Sequence, residues 1–234
     1  MTDSINVLDK GYVRLVDVMG SDLTVVNAAR VSFDKESGEL SGSDKRLIRF
    51  LAIHGHTSPF RHASLQFEVY APLMVARQWW KYVVGSDHTM DTWNESSRRY
   101  VTEEPTFYVP QSGEWRSAPE NSKQGSGEPI DTDTSMEFTA ELLRHIEQSE
   151  YLYNLALKDG ICAEQARLFL PAYGMYVRWR WTSSLQAVAH LLEQRLAHDA
   201  QKEFQLYAHA VYTLTKERFP VSIAALVDYE EVEE

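Results

Sequence analysis

The sequence predicts an α/β (α+β) protein in which helices flank a sheet, and three observations predict it. Segments that alternate apolar and polar residues, Gly11 to Val18, Ser64 to Ala71 and Tyr173 to Ser183, read as strands with one buried face. Runs with apolar residues at helical spacing, opened by capping residues, lie between and after them. A chain of 234 residues with 44% hydrophobic content builds one core of ordinary size, so residues 1–234 read as a single domain.

Each element has its own signal. After the first strand, Ser21-Asp22 caps a helix with Leu23, Val26, Ala29 and Val31 on one face. Ser43-Asp44 caps a second, Lys45 to His54, with Leu47, Ile48, Leu51 and Ala52 at helical spacing, and Gly55 stops it. In the second strand Leu65, Phe67 and Val69 oppose Gln66, Glu68 and Tyr70, and Pro72 opens the helix carrying Arg77 and Gln78. Thr134 or Ser135 caps a long helix that runs to Lys158 and ends at Asp159-Gly160. The third strand alternates Arg178 and Arg180 with Trp179 and Trp181, and two helices follow, Ser184 to His198 and Asp199 to Phe219. Residues 34–44 and 111–134 are expected to be mobile surface loops, the latter rich in Ser, Gly, Pro and acidic residues. There is no internal repeat or low-complexity tract.

Charge and composition narrow the function. A formal net charge of −11 excludes a protein that coats nucleic acid, which needs a surplus of Lys and Arg, while a small anionic ligand needs only a local cluster. Met1 to Lys10 lacks a signal-peptide pattern and no apolar run approaches the roughly 20 residues of a membrane span, so a cytoplasmic protein without a membrane partner is expected. Cys162, the only cysteine, precludes an intrachain disulfide and reads as a small packed hydrophobe. His54, His56 and His62, with His198-Asp199, leave open a metal phosphohydrolase of the His-Asp type, although Gly55 breaks the helix that would align the first two. We assign no metal site. Neither a Gly-x-Gly-x-x-Gly nor a P-loop motif is present, so side chains must hold any dinucleotide.

The chemistry concentrates in Arg77-Gln78-Trp79-Trp80-Lys81 and Trp93-Asn94-Glu95-Ser96-Ser97-Arg98-Arg99-Tyr100. Arginine offers a planar fork to phosphate or carbonyl oxygens, glutamate accepts from N–H groups, and tryptophan offers a stacking face, together the inventory a nucleotide calls for. Trp79, Trp80 and Lys81 are therefore expected at the substrate.

Arg-Gln-Trp followed by Asn-Glu-x-Ser-x-Arg-Tyr resembles the signature of the flavin-dependent thymidylate synthases. Further segments in the same order as in that family are Asp9 to Val13, Ala28 to Phe33, His54 to His62, Ala166-Arg167 with Leu170-Pro171, and Ala200 to Glu203, so the resemblance covers almost the whole chain. It implies a central, mostly antiparallel sheet in a domain that assembles as a homotetramer, with FAD lying across subunits. It implies FAD contacts at Ser58, Lys81, Tyr82, Val83, Glu95, Ser184, Leu185, Gln186 and His190, with His56 near the folate and flavin rings. It implies a dUMP site using Gln78, Glu95, Ser96, Ser97, Arg98, Arg99, Arg167 and Arg195. The reaction implied passes a one-carbon unit from methylenetetrahydrofolate to C5 of dUMP, with NADPH reducing FAD, and Arg195 is the catalytic cation expected to stabilise charge on the pyrimidine. The chain departs from the family pattern where Lys81-Tyr82-Val83 replaces Arg-His-Arg, in a longer link to Asn94, and at Ser184 and His190, where asparagines are common. A non-catalytic dUMP-binding relative is the second alternative.

Overall fold

The computed structural model describes residues 4–84, 92–96, 104–120 and 125–229. The elements are β1 (Ser4–Val7), β2 (Gly11–Met19), α1 (Asp22–Arg30), α2 (Gly42–Ile53), β3 (Ser64–Pro72), α3 (Leu73–Val84), β4 (Thr92–Glu95), α4 (Thr132–Lys158), α5 (Ala163–Ala166), β5 (Tyr176–Ser184), α6 (Leu185–Arg195), α7 (Lys202–Arg218) and α8 (Pro220–Leu226). Short 3-10 turns lie at Val31–Phe33, Ser58–His62, Arg167–Phe169 and Ala172–Gly174. The five strands form one antiparallel sheet in the order β1-β2-β3-β5-β4.

Strand alternation decides the two faces of this sheet. Val13, Leu15, Leu65, Phe67, Val69, Trp179 and Trp181 point into the core, where they meet Trp79 of α3, Val188 and Leu191 of α6 and Phe204 of α7. The opposite face is polar: Glu68 accepts from Tyr12 Oη at 2.9 Å and pairs with Arg14 at 2.9 Å and Arg180 at 3.4 Å. Tyr207 of α7 donates to the Tyr70 carbonyl at 2.8 Å and lies so close over Gly11 that a Cβ there would stand 1.8 Å from its hydroxyl. That close approach requires glycine. A smaller core of Phe107, Val109, Ile146 and Leu170 supports α4.

The structure corrects several expectations. Trp79, expected at the substrate, is 0% exposed and packs in the core with Trp179 and Trp181, so it presents no face to a ligand. Pro72 ends β3 and does not open α3. Helix α2 begins at Gly42 with Ser41 as its cap, and Asp44 is the third residue of a capping box, its carboxylate accepting from Ser41 N at 2.8 Å. Asp131 caps α4, accepting from Thr134 N at 2.9 Å. Helix α6 ends at Arg195, before His198, and α7 starts at Lys202. Trp93, Asn94 and Glu95, in a stretch with no strand period of its own, form the edge strand β4 with Thr92. Helix α8 borrows its cap from Asp22, whose carboxylate accepts from Val221 N and Ser222 N, both at 2.9 Å.

The two expected loops are fastened where described. Asn27 exchanges two hydrogen bonds with Ser37, at 2.8 and 3.0 Å, and Arg30 pairs with buried Asp44. In the second segment Trp115 Nε1 donates to Thr139 Oγ1 at 2.8 Å, and Gly113 N donates to Ser135 Oγ at 3.0 Å.

Hydrogen bonds from the Ser41 hydroxyl and backbone, with the Arg30 charge, hold the Asp44 carboxyl below its usual range. A lowered carboxyl pKa stabilises the fold above the unfolded value of about 3.9, and that stabilisation is lost as pH falls through the folded value. Asp44→Asn should therefore lower the melting temperature at pH 7, and its difference from wild type should shrink as pH is taken below about 4. A pH-independent difference in a calorimetric series would show that the charge contributes nothing.

Candidate functional site

Arg195, the last residue of α6, is half-buried against α3 and α7. Its Nε–H donates to Tyr82 Oη at 2.6 Å and its Nη1–H to Gln78 Oε1 at 3.0 Å. The guanidinium carbon lies 5.4 Å from the Tyr82 ring centre and 5.3 Å from that of Phe204, a cation between two aromatic faces. Gln78 and Tyr82 reach it together because residues four apart share a side of a helix.

The polar contacts continue inward from Gln78. Its amide donates to Gln201, which donates to Glu203 Oε2 at 2.9 Å, and Glu203 pairs with Arg116. Burial alone raises the Glu203 pKa, but hydrogen bonds from Arg116 and Gln201 outweigh it and hold the carboxyl below its ordinary value. Arg116 and Glu203 also line an apolar cleft of about 360 Å³ walled by Met74, Phe107, Trp115 and Ile146.

A separate cleft of about 400 Å³ opens between α3 and β4, lined by Leu73, Ala76, Arg77, Trp80, Trp93 and Glu95. Trp80, 43% exposed, meets Trp93 edge-on at 5.4 Å, and Trp93 stacks on Trp179 at 4.6 Å. Partial burial raises the Glu95 pKa, although its residue surface is open, and a hydrogen bond from Trp93 partly offsets the rise. Within the chain, then, Gln78, Tyr82 and Arg195 stand on one flank of α3, while Trp80 and Glu95 stand on the other.

The remaining expected residues fall into three places. His56 and Ser58 are exposed on the segment between α2 and β3, where His56 stacks with Phe50 at 6.0 Å and His54 Nδ1 lies 2.9 Å from the Phe50 carbonyl. That segment abuts the start of α6, where Leu185 N donates to the Ala63 carbonyl at 2.9 Å. Ser184 caps α6 by accepting from Ala187 N at 3.2 Å, Leu185 is fully buried, and exposed His190 meets Tyr82 edge-on at 5.8 Å. Lys81 and Ser96 are exposed. Arg167 is exposed beyond α5, among Leu168 (81% exposed) and Tyr173 (69%). Ser97, Arg98, Arg99 and the side chain of Val83 lie outside the described residues. A third cleft, about 740 Å³, is lined by Asn27, Val31, Asp34, Lys35, Glu36 and His62 among others, and its two carboxylates against one lysine make it a poor phosphate host.

The comparisons decide what this arrangement belongs to. The family model described as "Thymidylate synthase complementing protein" matches residues 14–221. A flavin-dependent thymidylate synthase from Thermus thermophilus is 40% identical over 228 residues, 97% of this chain and 79% of the relative. The chain belongs to the flavin-dependent thymidylate synthase family. One from Thermotoga neapolitana is 37% identical over 229 residues, 96% of this chain and 94% of that protein. The crystal structure of the UMP/dUMP methylase PolB from Streptomyces cacaoi bound with 5-Br dUMP superposes with a TM-score of 0.80 at 30% identity, covering 94% of this chain and 96% of that one.

Membership of the flavin-dependent thymidylate synthases gives the start of α6 its meaning. Gln186 Oε1 is buried there without a hydrogen-bond partner among the described residues, an acceptor that a flavin's ring N–H or ribose hydroxyl would satisfy. The residues present thus fit the group. The histidine alternative loses its basis: among the described residues no three His, Cys, Asp or Glu side chains are grouped to hold a metal ion. Cys162 is exposed rather than packed.

Sequence reasoning missed Gln201, Glu203 and Arg116 as supports of the site. Gln201 and Glu203 lay within a segment resembling the family, but nothing local to Arg116 pairs it with a glutamate 87 residues away. Glu203→Ala would leave half-buried Arg116 beside the apolar cleft without its counter-charge. Urea unfolding should show a loss of about 2 kcal/mol, between the scales for an exposed and a fully buried pair. A loss under about 1 kcal/mol would mean the pair is effectively solvated.

Proposed function

We propose that this chain makes dTMP from dUMP, and the arginine cradle at the end of α6 carries the reading. Attack by C5 of the pyrimidine on a one-carbon unit requires negative charge to build on the base's N3/O4 or O2 edge. A cation already in place lowers that barrier without reorganisation. Arg195 meets the requirement because its described partners, Tyr82 and Gln78, are neutral. Its charge is therefore not cancelled by a carboxylate and stays available to substrate.

FAD, when bound and reduced by NADPH, would supply the hydride that completes the methyl group after methylenetetrahydrofolate gives up its carbon. The chain's own residues hold and orient. Ser58, Ser184 to Gln186 and His190 run from the turn before β3 along α6, and Lys81 and Val83 lie across from them on α3, while Tyr82 is turned to Arg195. Lys81 offers a point charge to a phosphate where arginine would offer a fork. Helix α6 is about 16 Å long at 1.5 Å per residue, so the flavin contacts at its start and Arg195 at its end lie within one ligand pair's reach.

The separation of Trp80 and Glu95 from Gln78 and Arg195 supports a homotetramer whose sites combine chains, one giving Gln78 and Arg195 and another giving Glu95, Ser96, Ser97, Arg98 and Arg99. Arg167, set among exposed Leu168, Phe169 and Tyr173, reaches the dUMP phosphate of a neighbour, and the exposed apolar residues of α4, including Met136, Phe138 and Tyr151, supply further contact area. Buried tryptophans play no part in that interface.

Purified protein should absorb blue light as a flavoprotein and form dTMP from dUMP. Arg195→Ala should retain flavin and cut turnover by roughly 100-fold. Cys162→Ser should stay within a few-fold of wild type, and a loss of several orders of magnitude would restore a cysteine nucleophile. Independently, Lys81→Ala should shed flavin while leaving dUMP affinity nearly unchanged, with added salt mimicking the substitution in part. A monomer by light scattering, or full flavin retention by Lys81→Ala at high salt, would overturn the shared-site arrangement.

A further inference from the structure

We infer that Tyr82 is a positioning residue for Arg195, acting on the reaction through that arginine rather than by holding the flavin. The inference rests on the synthase reading above. Tyr82 was expected among the cofactor contacts, yet its polar atom and one ring face are both committed to Arg195. The phenol oxygen accepts the Nε–H at 2.6 Å, and the guanidinium carbon lies 5.4 Å from the ring centre. Edge contacts with His190 at 5.8 Å and Phe204 at 6.4 Å hold the ring in that pose.

The two described hydrogen bonds fix more than a distance. A guanidinium is planar, so anchoring Nε to Tyr82 and Nη1 to Gln78 sets the orientation of the whole fork. Of its five N–H groups three remain, both on Nη2 and one on Nη1, and they point away from the two anchors. Phe204, 5.3 Å from the guanidinium carbon, limits rotation from the other side. Without the phenol, Gln78 alone would hold one nitrogen, and the side chain would regain part of the roughly 2 kcal/mol of rotamer entropy an arginine carries. The cation would still be present, but no longer pre-aimed where charge develops.

This role predicts a signature that a flavin ligand or a plain packing residue would not give. Tyr82→Phe keeps the ring and removes only the hydroxyl. It should lower kcat about 10-fold with KM for dUMP within about twofold and flavin absorbance per chain unchanged, because an interaction made only in the transition state is lost. In an Arg195→Ala background the same substitution should cause no further fall, since a residue acting solely through Arg195 has nothing left to act on. A readout independent of turnover is the Arg195 Nε–H signal in ¹⁵N NMR, which should be protected from solvent exchange in wild type and lose protection about 10-fold in Tyr82→Phe.

Multiplicative losses in the double variant, loss of flavin from Tyr82→Phe, or an unchanged Nε–H signal would each overturn the inference. Absence of dTMP formation by wild type would instead remove the synthase reading, leaving the NMR arm to report on the Tyr82–Arg195 contact by itself.

Discussion

Helix α3 is seated by one side chain. Trp79 enters the core edge-on to Trp179 and Trp181, at 5.4 Å and near-perpendicular to both, and stacks on Phe204 of α7 at 5.3 Å. It thereby ties α3 to β5 and α7 at once. Successive helical residues turn by about 100°, so seating Trp79 sends Gln78 to one flank and Trp80 to the other, and Tyr82 returns to the Gln78 side. The division between the arginine cradle and the α3/β4 cleft follows from that rotation. Truncating such a residue costs about 3–5 kcal/mol, a large part of a domain's stability of about 5–15. The seat also carries a cost, because the indole N–H groups of all three tryptophans are buried without partners among the described residues, at about 1–3 kcal/mol each. Aromatic packing has to exceed it.

Electrostatics in the site are local and arranged in series. The chain is acidic overall, at −11, yet Arg195 is held by an amide and a phenol, while the nearest carboxylate in the chain of contacts, Glu203, is already matched by Arg116. Two neutral amides, Gln78 and Gln201, separate the free cation from the matched pair. A carboxylate in direct contact with Arg195 would have quenched the field that a developing pyrimidine anion needs.

Much of this was legible in the sequence wherever a pattern was both local and long. Alternation found β2, β3 and β5, and helical spacing with caps found α1, α2, α4, α6 and α7 to within a few residues. Four-residue β1 and β4 are too short to show a period, and α8 could not be delimited because its capping carboxylate, Asp22, lies 199 residues earlier in the chain. Trp79 was misread from its company: beside Arg77 and Gln78 it looked like a stacking face. Val75, Ala76 and Trp79 nonetheless share the helical spacing of a buried stripe, and all three are at most 2% exposed. In the candidate site, the expectation at Arg195 and Gln78 came from family resemblance, and the structure brings the two side chains together, whereas the Tyr82 phenol and the Arg116–Glu203 pair depend on tertiary contacts with no local counterpart.

Strand β4 adds a point about how such a chain tolerates change. It pairs with β5 alone, in a register that sets Trp93 opposite Trp181 and Glu95 opposite Trp179. Slipping it by one residue would turn Glu95 to the opposite face and pull Trp93 off its 4.6 Å stack on Trp179. The register is therefore clamped by a side chain inside the strand. The carboxylate's address is written in its neighbour, so a substitution at Trp93 would displace Glu95 without altering Glu95 itself.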